Sequence, residues 1–477
     1  MAVCGRAPAQ SQDDTRRMLD QRNQGQASER ERALLKDELD AERPTISVDG
    51  KSYTVAHTAN DVGRALYLSL QNRQWPAVQH FLQEYLTLAD RDPLLVHYAQ
   101  GAVARNGGHY REAEREYRAL LALRPDFLPG RLELARVLFE DQQDREAEQA
   151  FAAIEASIDA SDPKTEGVRS SVASFRQALA GRRDWNGAFA LGPAWSDNVN
   201  RTSASSVCLL LMDGRCFFSR STPEAISAAG YDYDASVDRR LPLRGHHGLY
   251  LRSLLFGQGY RDNGAYNELT SISQAGYSYR SGRHTLALAP TFEYYALGND
   301  ALYGAWGAHA EWSWTLSPRS LLKLEGDWKD MRYRRGDYAG SYDGVVRSAY
   351  ATYFRSLGTR WTVFAGADLT DSAVAQPAES FLQKGVRLGG SLQWPDGFSG
   401  TLFASYRRRD YGAYSAVLGA RRDDAEQGYS FVLRAPRLGI AGFVPLLTLR
   451  RSHVRSNVDW LYSYDRNTVS LKLERTL

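Results

Sequence analysis

Long hydrophobic segments are missing from this sequence. No uninterrupted apolar run reaches the roughly 18 residues that a membrane-spanning helix requires, and the mean hydropathy of −0.47 is that of a soluble protein. This criterion does not detect a transmembrane β-barrel, because only every second residue of its strands faces lipid. The formal net charge of +3 is also too small to indicate a nucleic-acid partner.

Cysteine is scarce, with three in 477 residues. Cys208 and Cys216 enclose seven residues of a long predicted loop, whereas Cys4 stands alone. In an oxidising compartment the close pair predicts a disulfide that closes this loop. A zinc site is the alternative, but it requires further ligands nearby and the sequence offers none.

The motifs of common hydrolases are absent: the sequence contains no HExxH, GxSxG or CxxC. Ser320 and Lys323 match the spacing of an SxxK motif, but residues three apart on a strand point to opposite faces. His246 and His247 fall in a predicted turn, where we expect them to be solvated rather than bound to metal. We therefore expect no enzymatic activity, no cofactor and no metal, which disfavours a peptidase or lipase barrel.

Residues 1–44 predict a truncated signal remnant followed by a polar helical leader. Ala7-Pro8-Ala9 before Gln10 resembles the end of a signal-peptidase site, although no apolar core precedes it. The charged run that follows ends at Pro44. Residues 46–55 alternate about an Asp-Gly pair and predict a small hairpin.

Residues 45–184 predict a helical domain built from repeats. Small, aromatic and turn residues stand at the spacings of a tetratricopeptide repeat, namely Gly101, Gly108, Tyr110, Ala113, Tyr117 and Pro125. A shift of 34 residues gives Leu134, Ala147 and Phe151, where the repeat again requires such residues. The small residues let two antiparallel helices approach closely, and the aromatic ring fills the groove beside them. Such repeats bind peptides or proteins; the alternative is a helical spacer without a ligand.

The composition changes at Trp185. Nine of the ten Trp and 30 of the 40 Gly lie at or after this residue, as the turns and aromatic girdles of a membrane barrel require. In residues 185–477, fourteen segments alternate apolar and polar residues over the roughly 9–11 residues that cross a bilayer. The predicted strands are 185–199, 231–240, 248–260, 268–279, 284–296, 304–315, 320–333, 343–355, 360–370, 381–393, 399–410, 427–435, 444–455 and 466–476.

One face of this alternation is polar and predicts the lining of a lumen. For example, Trp306, Trp312 and Trp314 alternate with His309 and Glu311. The polar residues expected to face the lumen are His309, Glu311, Lys323, Glu325, Asp327, Lys329, Asp368, Lys472 and Glu474. They mix both signs of charge, as barrel interiors commonly do.

The links between strands alternate short and long, which favours an outer-membrane barrel over a soluble sandwich. Tight turns are predicted at 280–283, 316–320, 356–360, 395–400 and 437–442. These turns, the helical domain and the C-terminus would face the periplasm, and loop 200–230 would face outside. The sequence thus predicts an α + β multidomain protein: an N-terminal α-helical tetratricopeptide-repeat domain, then a C-terminal 14-stranded antiparallel transmembrane β-barrel in the outer membrane of a Gram-negative bacterium.

A short tetratricopeptide module fused to such a barrel resembles the surface lipoprotein assembly modulator (Slam) family, the outer-membrane translocon of the type XI secretion system. The resemblance covers residues 45–477 and rests on architecture, strand number and the repeat at 101–125. It implies transport of surface lipoproteins, or of related soluble haem- or metal-acquisition proteins, from the periplasm to the cell surface. The implied partners are secreted protein cargo, periplasmic chaperones, the barrel-assembly machinery and outer-membrane lipids, without nucleic acid; we expect a monomer.

The strand number also bears on mechanism. A barrel of fourteen strands is narrower than a porin of sixteen, so cargo would cross unfolded and its folding outside would supply the drive. A lipid-bearing cargo would require a sideways exit between the first and last strands. Gly187, Gly192 and Pro193 in the first strand would weaken the pairing there. The alternative is an ordinary irregularity, because Pro290, Pro436 and Pro445 also lie in or beside strands.

A polysaccharide-export porin is the runner-up function, because such porins also join these repeats to a barrel. They usually carry many more repeats than the three or so of this chain. A sugar conduit would also line its lumen with one sign of charge or with aromatic rings, whereas the predicted lumen is mixed.

Overall fold

The computed structural model describes residues 9–35, 56–159, 161–212 and 215–477. It contains a long helix α1 (Ala9–Leu34), a domain of paired helices and a closed β-barrel. The predicted fold, a helical repeat domain followed by a 14-stranded antiparallel barrel, is confirmed. The start of the predicted signal remnant (residues 1–8) and the predicted hairpin at 46–55 lie outside the described residues.

The helical domain consists of three antiparallel pairs and a final helix. The helices are α2 (Ala59–Gln71) with α3 (Trp75–Thr87), α4 (Pro93–Asn106) with α5 (Tyr110–Leu123), α6 (Leu128–Glu140) with α7 (Asp144–Ser157), and α8 (Glu166–Arg183). The start of α4 is typical: Pro93 is its first residue, and the side chain of Asp92 accepts a hydrogen bond from the backbone N–H of Leu94. Within the described ranges, no helix combines the length and hydrophobicity needed to cross a membrane.

The small residues of the repeat signature allow the paired helices to pack closely. A Cβ atom added to Gly101 of α4 would lie only 2.8 Å from the ring of Tyr117 on α5. Ala113 and Tyr117 are fully buried, and so are Ala147 and Phe151 of the next pair. Close packing of the tyrosine ring against the glycine backbone thus fixes the distance between the two helices.

The turns inside the three pairs share a left-handed residue. Arg73 (φ 53°), Gly108 (φ 68°) and Gln142 (φ 62°) occupy the same place in successive pairs. This conformation costs a residue other than glycine about 1 kcal/mol. The turn geometry therefore recurs in repeats whose sequence has lost the glycine that signals it.

The barrel closes by pairing its first strand with its last. In this single antiparallel sheet, β1 bonds to both β4 and β16. The wall strands are β1 (Asn186–Ser196), β4 (Ala228–Pro242), β5 (His247–Tyr260), β6 (Glu268–Arg280), β7 (His284–Leu297), β8 (Asp300–Ser317), β9 (Ser320–Tyr333), β10 (Gly344–Leu357), β11 (Trp361–Val374), β12 (Phe381–Gln393), β13 (Ser399–Ser415), β14 (Ala420–Arg434), β15 (Val444–Ser456) and β16 (Tyr464–Thr476). Strands β2 (Ser206–Met212) and β3 (Arg215–Ser221) form a separate hairpin between β1 and β4. Two short helices, α9 (Gly336–Tyr342) and α10 (Asp459–Tyr462), lie in links between strands.

Three details of the predicted links were wrong. The link between β7 and β8 is a two-residue turn at Gly298 and Asn299, whose positive φ angles of 65° and 71° suit a tight hairpin. Strand β14 begins at Ala420 instead of residue 427, because β13 and β14 continue pairing as one long hairpin. The link at 435–443 is longer than the tight turn predicted there.

The outer face of the wall is apolar and the inner face is polar. On β16, Leu471 and Leu473 are 53% and 51% exposed, whereas Lys472 and Glu474 are 2% and 0% exposed. This is the alternation that a lipid-facing wall requires. Exposed tryptophans mark one rim of the wall, namely Trp185, Trp314, Trp361 and Trp394.

Helix α1 lies inside the barrel. Its 26 residues span about 39 Å at 1.5 Å per residue, somewhat more than the roughly 30 Å of a hydrocarbon core. The helix is polar on nearly every side, so it has no apolar face for a protein surface. Just beyond its C-terminal end, Leu35 is buried in the helical domain beside Phe139, Ile154 and Leu179. The sequence predicted that this segment is a polar helix, but it did not predict that the helix lies inside the barrel.

We predict that Gly101→Ala destabilises the helical domain by about 1–3 kcal/mol, because the buried ring of Tyr117 has no room to retreat from the new Cβ atom. Urea unfolding of the detergent-solubilised protein, followed by circular dichroism at 222 nm, measures the change. Gly181→Ala in α8 is the control: nothing lies within 4 Å of its added Cβ, so it should be neutral or slightly stabilising. Equal unfolding midpoints for the two variants would contradict this packing argument.

Candidate functional site

The polar residues predicted to face the lumen all lie on the inner wall; each of the charged ones takes part in an ion pair, and His309 contacts Asp327. Their side chains are between 0% and 13% exposed. Examples are Lys323 with Glu311 (3.2 Å), Lys329 with Glu293 (2.6 Å) and Asp368 with Arg387 (2.9 Å). An open aqueous channel would leave such groups hydrated, so something else covers them.

The cover is α1, whose arginines reach carboxylates of the wall. Both terminal nitrogens of Arg16 donate to Asp327 at 3.3 Å, and a ring nitrogen of His309 lies 3.3 Å from Arg16 and 2.9 Å from Asp327. Arg17 donates to Glu325 at 2.9 Å and stacks 3.4 Å above the ring centre of Tyr350. These buried charges are compensated by partners of opposite sign, as burial demands.

The aspartates of α1 meet donors on other parts of the wall. Asp14 accepts two hydrogen bonds from Arg407 of β13, at 2.8 and 2.5 Å. Asp13 accepts one from the hydroxyl of Tyr350 at 3.2 Å, and Asp20 lies 3.8 Å from Arg252 of β5. Helix and wall therefore match in both signs of charge around the circumference.

One apolar contact interrupts this polar interface. Leu19 of α1 is 4% exposed and packs with Leu254, Phe256 and Ile272 of β5 and β6. A single buried leucine contributes roughly 1.5–3 kcal/mol. The other contacts described between α1 and the wall are polar or charged, so they fix its position while the apolar contribution comes from this one cluster.

The helix enters from the same end as the helical domain. Arg30 near its C-terminal end donates to the backbone O of Leu477 at 2.8 Å, whereas Gln12 and Asp13 near its start line a cavity farther inside. This cavity measures about 180 Å³ and is also lined by Glu293, Lys329 and Arg407. Near its start, α1 thus borders a cavity enclosed by charged and aromatic residues of the wall.

The boundary between β1 and β16, here called the seam, has an interrupted ladder. Residues 188–191 pair with 473–476 and residues 194–196 pair with 468–470, but Gly192 and Pro193 have no partner in that register. The same two residues pair with Asp232 and Tyr231 on the β4 side. The break is therefore confined to the seam side of β1.

Ion pairs on the inner face bridge the seam from β16 across β1 to β4. Lys472 of β16 donates to Asp232 at 2.7 Å and also to Asp234, both on β4. Arg22 of α1 contacts Asp234 at 2.5 Å and Glu474 of β16 at 3.1 Å. Side chains thus reinforce the place where the backbone ladder is interrupted.

On the outer side, the loop after β1 crosses the seam. The predicted disulfide between Cys208 and Cys216 is present, with a Cα–Cα distance of 5.8 Å, and it joins β2 to β3. At the base of this hairpin, Ser205 donates to the backbone O of Trp460 at 2.7 Å and Arg220 stacks 3.7 Å above the Trp460 ring. Trp460 belongs to the link between β15 and β16, so both loops flanking the seam are joined outside.

A buried cluster connects the helical domain, α1 and the barrel. Asp144 at the start of α7 pairs with Arg182 of α8 at 2.7 Å and with Arg240 of β4 at 3.0 Å. Arg182 also pairs with Glu31 of α1 at 2.8 Å. Asp144, Arg182 and Arg240 have side chains only 2–7% exposed, so one carboxylate links all three parts of the molecule.

The rest of the docking uses turns of the barrel and of the repeats. Asp141 lies 2.9 Å from a ring nitrogen of His246 and accepts a bond from the backbone N–H of Gly282 at 3.1 Å. His246 is thus held against the helical domain, and the expectation of a solvated residue was wrong. Two repeat-signature residues lie at this contact: Tyr110 touches Gly282, and Gly108 lies beside Arg283.

The remaining signature residues have structural positions inside the helical domain. Leu134 is partly buried against the cores of neighbouring helices, and Pro125 lies in the turn after α5. Nearby, Arg105 joins α4 to Glu133 and Glu140 of α6 at 2.7 and 2.5 Å. Burial acts to raise the pKa of Glu133, but the guanidinium groups of Arg105 and Arg136 outweigh it and hold that pKa below its ordinary value.

Sequence reasoning missed the site's central element. The charged residues of α1, together with Asp232, Asp234, Asp144 and Arg240, carry no motif. The one available signal was that α1 is polar on all sides, which is typical of a helix surrounded by polar partners. Over the described parts of the chain, no group of histidine, cysteine and acidic residues is arranged to hold a metal ion.

The sequence of this chain matches models of a known protein family. A family model described as "Surface lipoprotein assembly modifier" matches residues 185–477, and one for the N-terminal TPR repeats of the same family matches residues 48–151. "Hemophilin secretion modulator" of Acinetobacter baumannii is 40% identical over 442 residues, which cover 90% of this chain and 88% of that protein. "Surface lipoprotein assembly modifier 1" of Neisseria meningitidis serogroup B is 25% identical over 441 residues, covering 90% and 85%. Among solved structures, a FadL homologue of Pseudomonas aeruginosa aligns at 11% identity with a TM-score of 0.34 over 62% of this chain and 91% of that chain, which is too low to support a conclusion.

We predict that Asp144→Ala loosens the docking of the helical domain on the barrel. The change leaves Arg182 and Arg240 buried without their shared carboxylate, at a cost of about 3–5 kcal/mol. Thermal unfolding at 222 nm and the rate of trypsin cleavage between the two domains measure the effect. Asp396→Ala is the control, because its pair with Arg437 is 62–66% exposed and such pairs contribute less than about 1 kcal/mol. The same melting temperature and cleavage rate in both variants would refute the role assigned to Asp144.

Proposed function

Because this chain belongs to the surface lipoprotein assembly modifier family, we propose that it is an outer-membrane translocon. It moves surface lipoproteins, or related soluble haem- or metal-acquisition proteins, from the periplasm to the cell surface. The barrel lies in the outer membrane of a Gram-negative bacterium, and the helical domain lies at its periplasmic end. The family match favours this function over polysaccharide export.

The observation that carries the proposal is the docking of the repeat domain on the periplasmic rim. Asp141 contacts the turns at His246 and Gly282, and Asp144 reaches Arg240 of the wall. A protein bound by the repeats would thus be presented at the mouth of the lumen. In this proposal the helical domain engages the unfolded cargo itself or a chaperone that carries it.

Transport then depends on the cargo being unfolded. A wall of fourteen strands encloses a narrower space than that of a porin, so a folded domain would not pass. A chain that folds on the far side cannot return, so folding outside supplies the direction without a nucleotide.

A cargo that carries a lipid leaves through the seam. The ladder between β1 and β16 is interrupted at Gly192 and Pro193, and proline cannot donate the missing bond. Parting these strands would let acyl chains move into the outer leaflet while the polypeptide emerges. The ion pairs of Lys472 with β4 would have to open in the same step.

The transport function is tested in a heterologous Gram-negative host that expresses epitope-tagged hemophilin, the cargo suggested by the name of one relative. With this chain present, we expect at least a ten-fold increase of tagged protein in the medium or at the surface, measured by immunoblot and protease accessibility. A tagged periplasmic protein without a secretion partner controls for leakage. Equal surface amounts with and without the chain, using this cargo and a tagged surface lipoprotein, would refute the function.

The seam is tested by a disulfide between paired positions of β1 and β16. In A194C/S470C, built with Cys4→Ser, we expect oxidation to stop surface display of a tagged lipoprotein and dithiothreitol to restore it, because the strands can no longer part. T448C/S470C is the matched control, since it ties the same residue of β16 to β15 instead. Lipoprotein display that persists in the oxidised A194C/S470C variant would rule out the sideways exit.

A further inference from the structure

The wall of the lumen and helix α1 are matched residue by residue, although the transport function requires no helix there. Arg16, Arg17 and Arg22 of α1 meet carboxylates, and Asp14 and Asp20 meet guanidinium groups. We propose that the inner wall is a binding site for a mixed-charge polypeptide segment, and that α1 is its resident ligand, which has to leave before cargo passes. The requirement that α1 leave before cargo passes rests on the proposed function.

The contacts reach different sides of the barrel, so the segment fills the lumen instead of lining one wall. Arg17 binds β9, Asp14 binds β13, and Arg22 binds β4 and β16. Arg16 and Asp20 are each 6% exposed and Asn23 is 7% exposed. Water is therefore excluded from much of residues 12–23, whereas the part of α1 from residue 24 onward is largely exposed.

A charged occupant of this kind is bound specifically and yet can be released. Desolvation offsets most of the attraction in a buried ion pair, so the pairs fix the register of α1 without contributing a large net stability. When α1 leaves, water hydrates the charges of both surfaces. Separating apolar surfaces would instead be opposed in proportion to the area exposed, and here that area is confined to the contact of Leu19.

Occupancy of the lumen is also linked to the seam. Arg22 bridges Asp234 of β4 and Glu474 of β16, which lie on either side of β1. When α1 leaves, this bridge is lost, and the ion pairs of Lys472 with Asp232 and Asp234 remain between the two strands. The same displacement thus opens the lumen and weakens the seam.

The helical domain holds the other end of the segment. Glu31 of α1 pairs with Arg182, and Leu35 is buried beside Phe139. A ligand that changes the packing of α6 or α8 therefore acts directly on α1. This connection gives cargo bound to the repeats a physical means of withdrawing the segment from the barrel.

The first test measures ion conductance of the full-length protein in planar lipid bilayers, with K⁺ and Cl⁻ as the probes. We expect wild type to be nearly closed and R16A/R17A/R22A to conduct at least ten-fold more. R332A/R347A/R408A removes three arginines that are 60–66% exposed on other surfaces and should stay closed. Faster migration of unheated samples on gels shows that each barrel is folded. If the triple variant does not fold, the single variant R22A replaces it in the conductance measurement.

The second test fixes α1 to the wall. The side-chain oxygen of Asn23 lies 2.8 Å from the hydroxyl of Ser236 on β4, so N23C/S236C, with Cys4→Ser, should form a disulfide that a gel-shift assay detects. Added to R16A/R17A/R22A, it should return conductance to the wild-type level when oxidised, and dithiothreitol should raise it again. S391C/T401C is the matched control. It joins two wall residues whose hydroxyl oxygens lie 2.9 Å apart, and it should not lower conductance.

The outcomes separate this proposal from the function it deepens. If wild type and the arginine variants conduct equally, α1 does not close the lumen and the proposal is wrong. If oxidised N23C/S236C exports tagged hemophilin as fast as wild type does, α1 need not leave, although transport stands. If wild type exports nothing, the transport function fails while the conductance result still decides whether the wall binds α1.

Discussion

The structure depends on one electrostatic constraint: a wall that is apolar outside must place its polar groups inside, where each charge requires a partner. In a wide porin, water supplies this compensation. Here the inner charges are almost completely shielded from water, and side chains of α1 and of neighbouring strands compensate them instead. The mixed signs of the lumen, the polar character of α1 and its position are consequences of this requirement.

The same kind of interaction joins the parts of the molecule to one another. The carboxylate of Asp144 belongs to the repeat domain but is shared by Arg182, which binds α1, and by Arg240 of the wall. At the seam, Lys472 and Arg22 compensate for a ladder that is interrupted at Gly192 and Pro193. Both junctions therefore depend on a few buried charges. Because these charges share partners, removing one of them directly alters the ion pairs of its neighbours.

The fold was predictable to a large extent because two periodic signals carry it. Alternation along strands located all fourteen wall segments, and the repeat spacing located Gly101 and Tyr117, since both follow from how backbones pair and pack. Turn conformations were less predictable: Gln142 adopts the left-handed geometry without a glycine to signal it, and Gly298-Asn299 forms a tight turn where a longer link was expected. The site was hardest to predict, because ion pairs such as that of Arg16 with Asp327 join residues 311 positions apart and no local pattern records them.

The tight turn at Gly298 and Asn299 leaves the outer surface uneven. There, two residues join β7 to β8. Between β1 and β4, by contrast, the link has some thirty residues and contains the hairpin bridged by Cys208 and Cys216. Antibodies that recognise this protein from outside would find a long loop in that sector. Surface loops accumulate sequence change more readily than the elements they connect, so immune selection would fall on the sector that contains the seam.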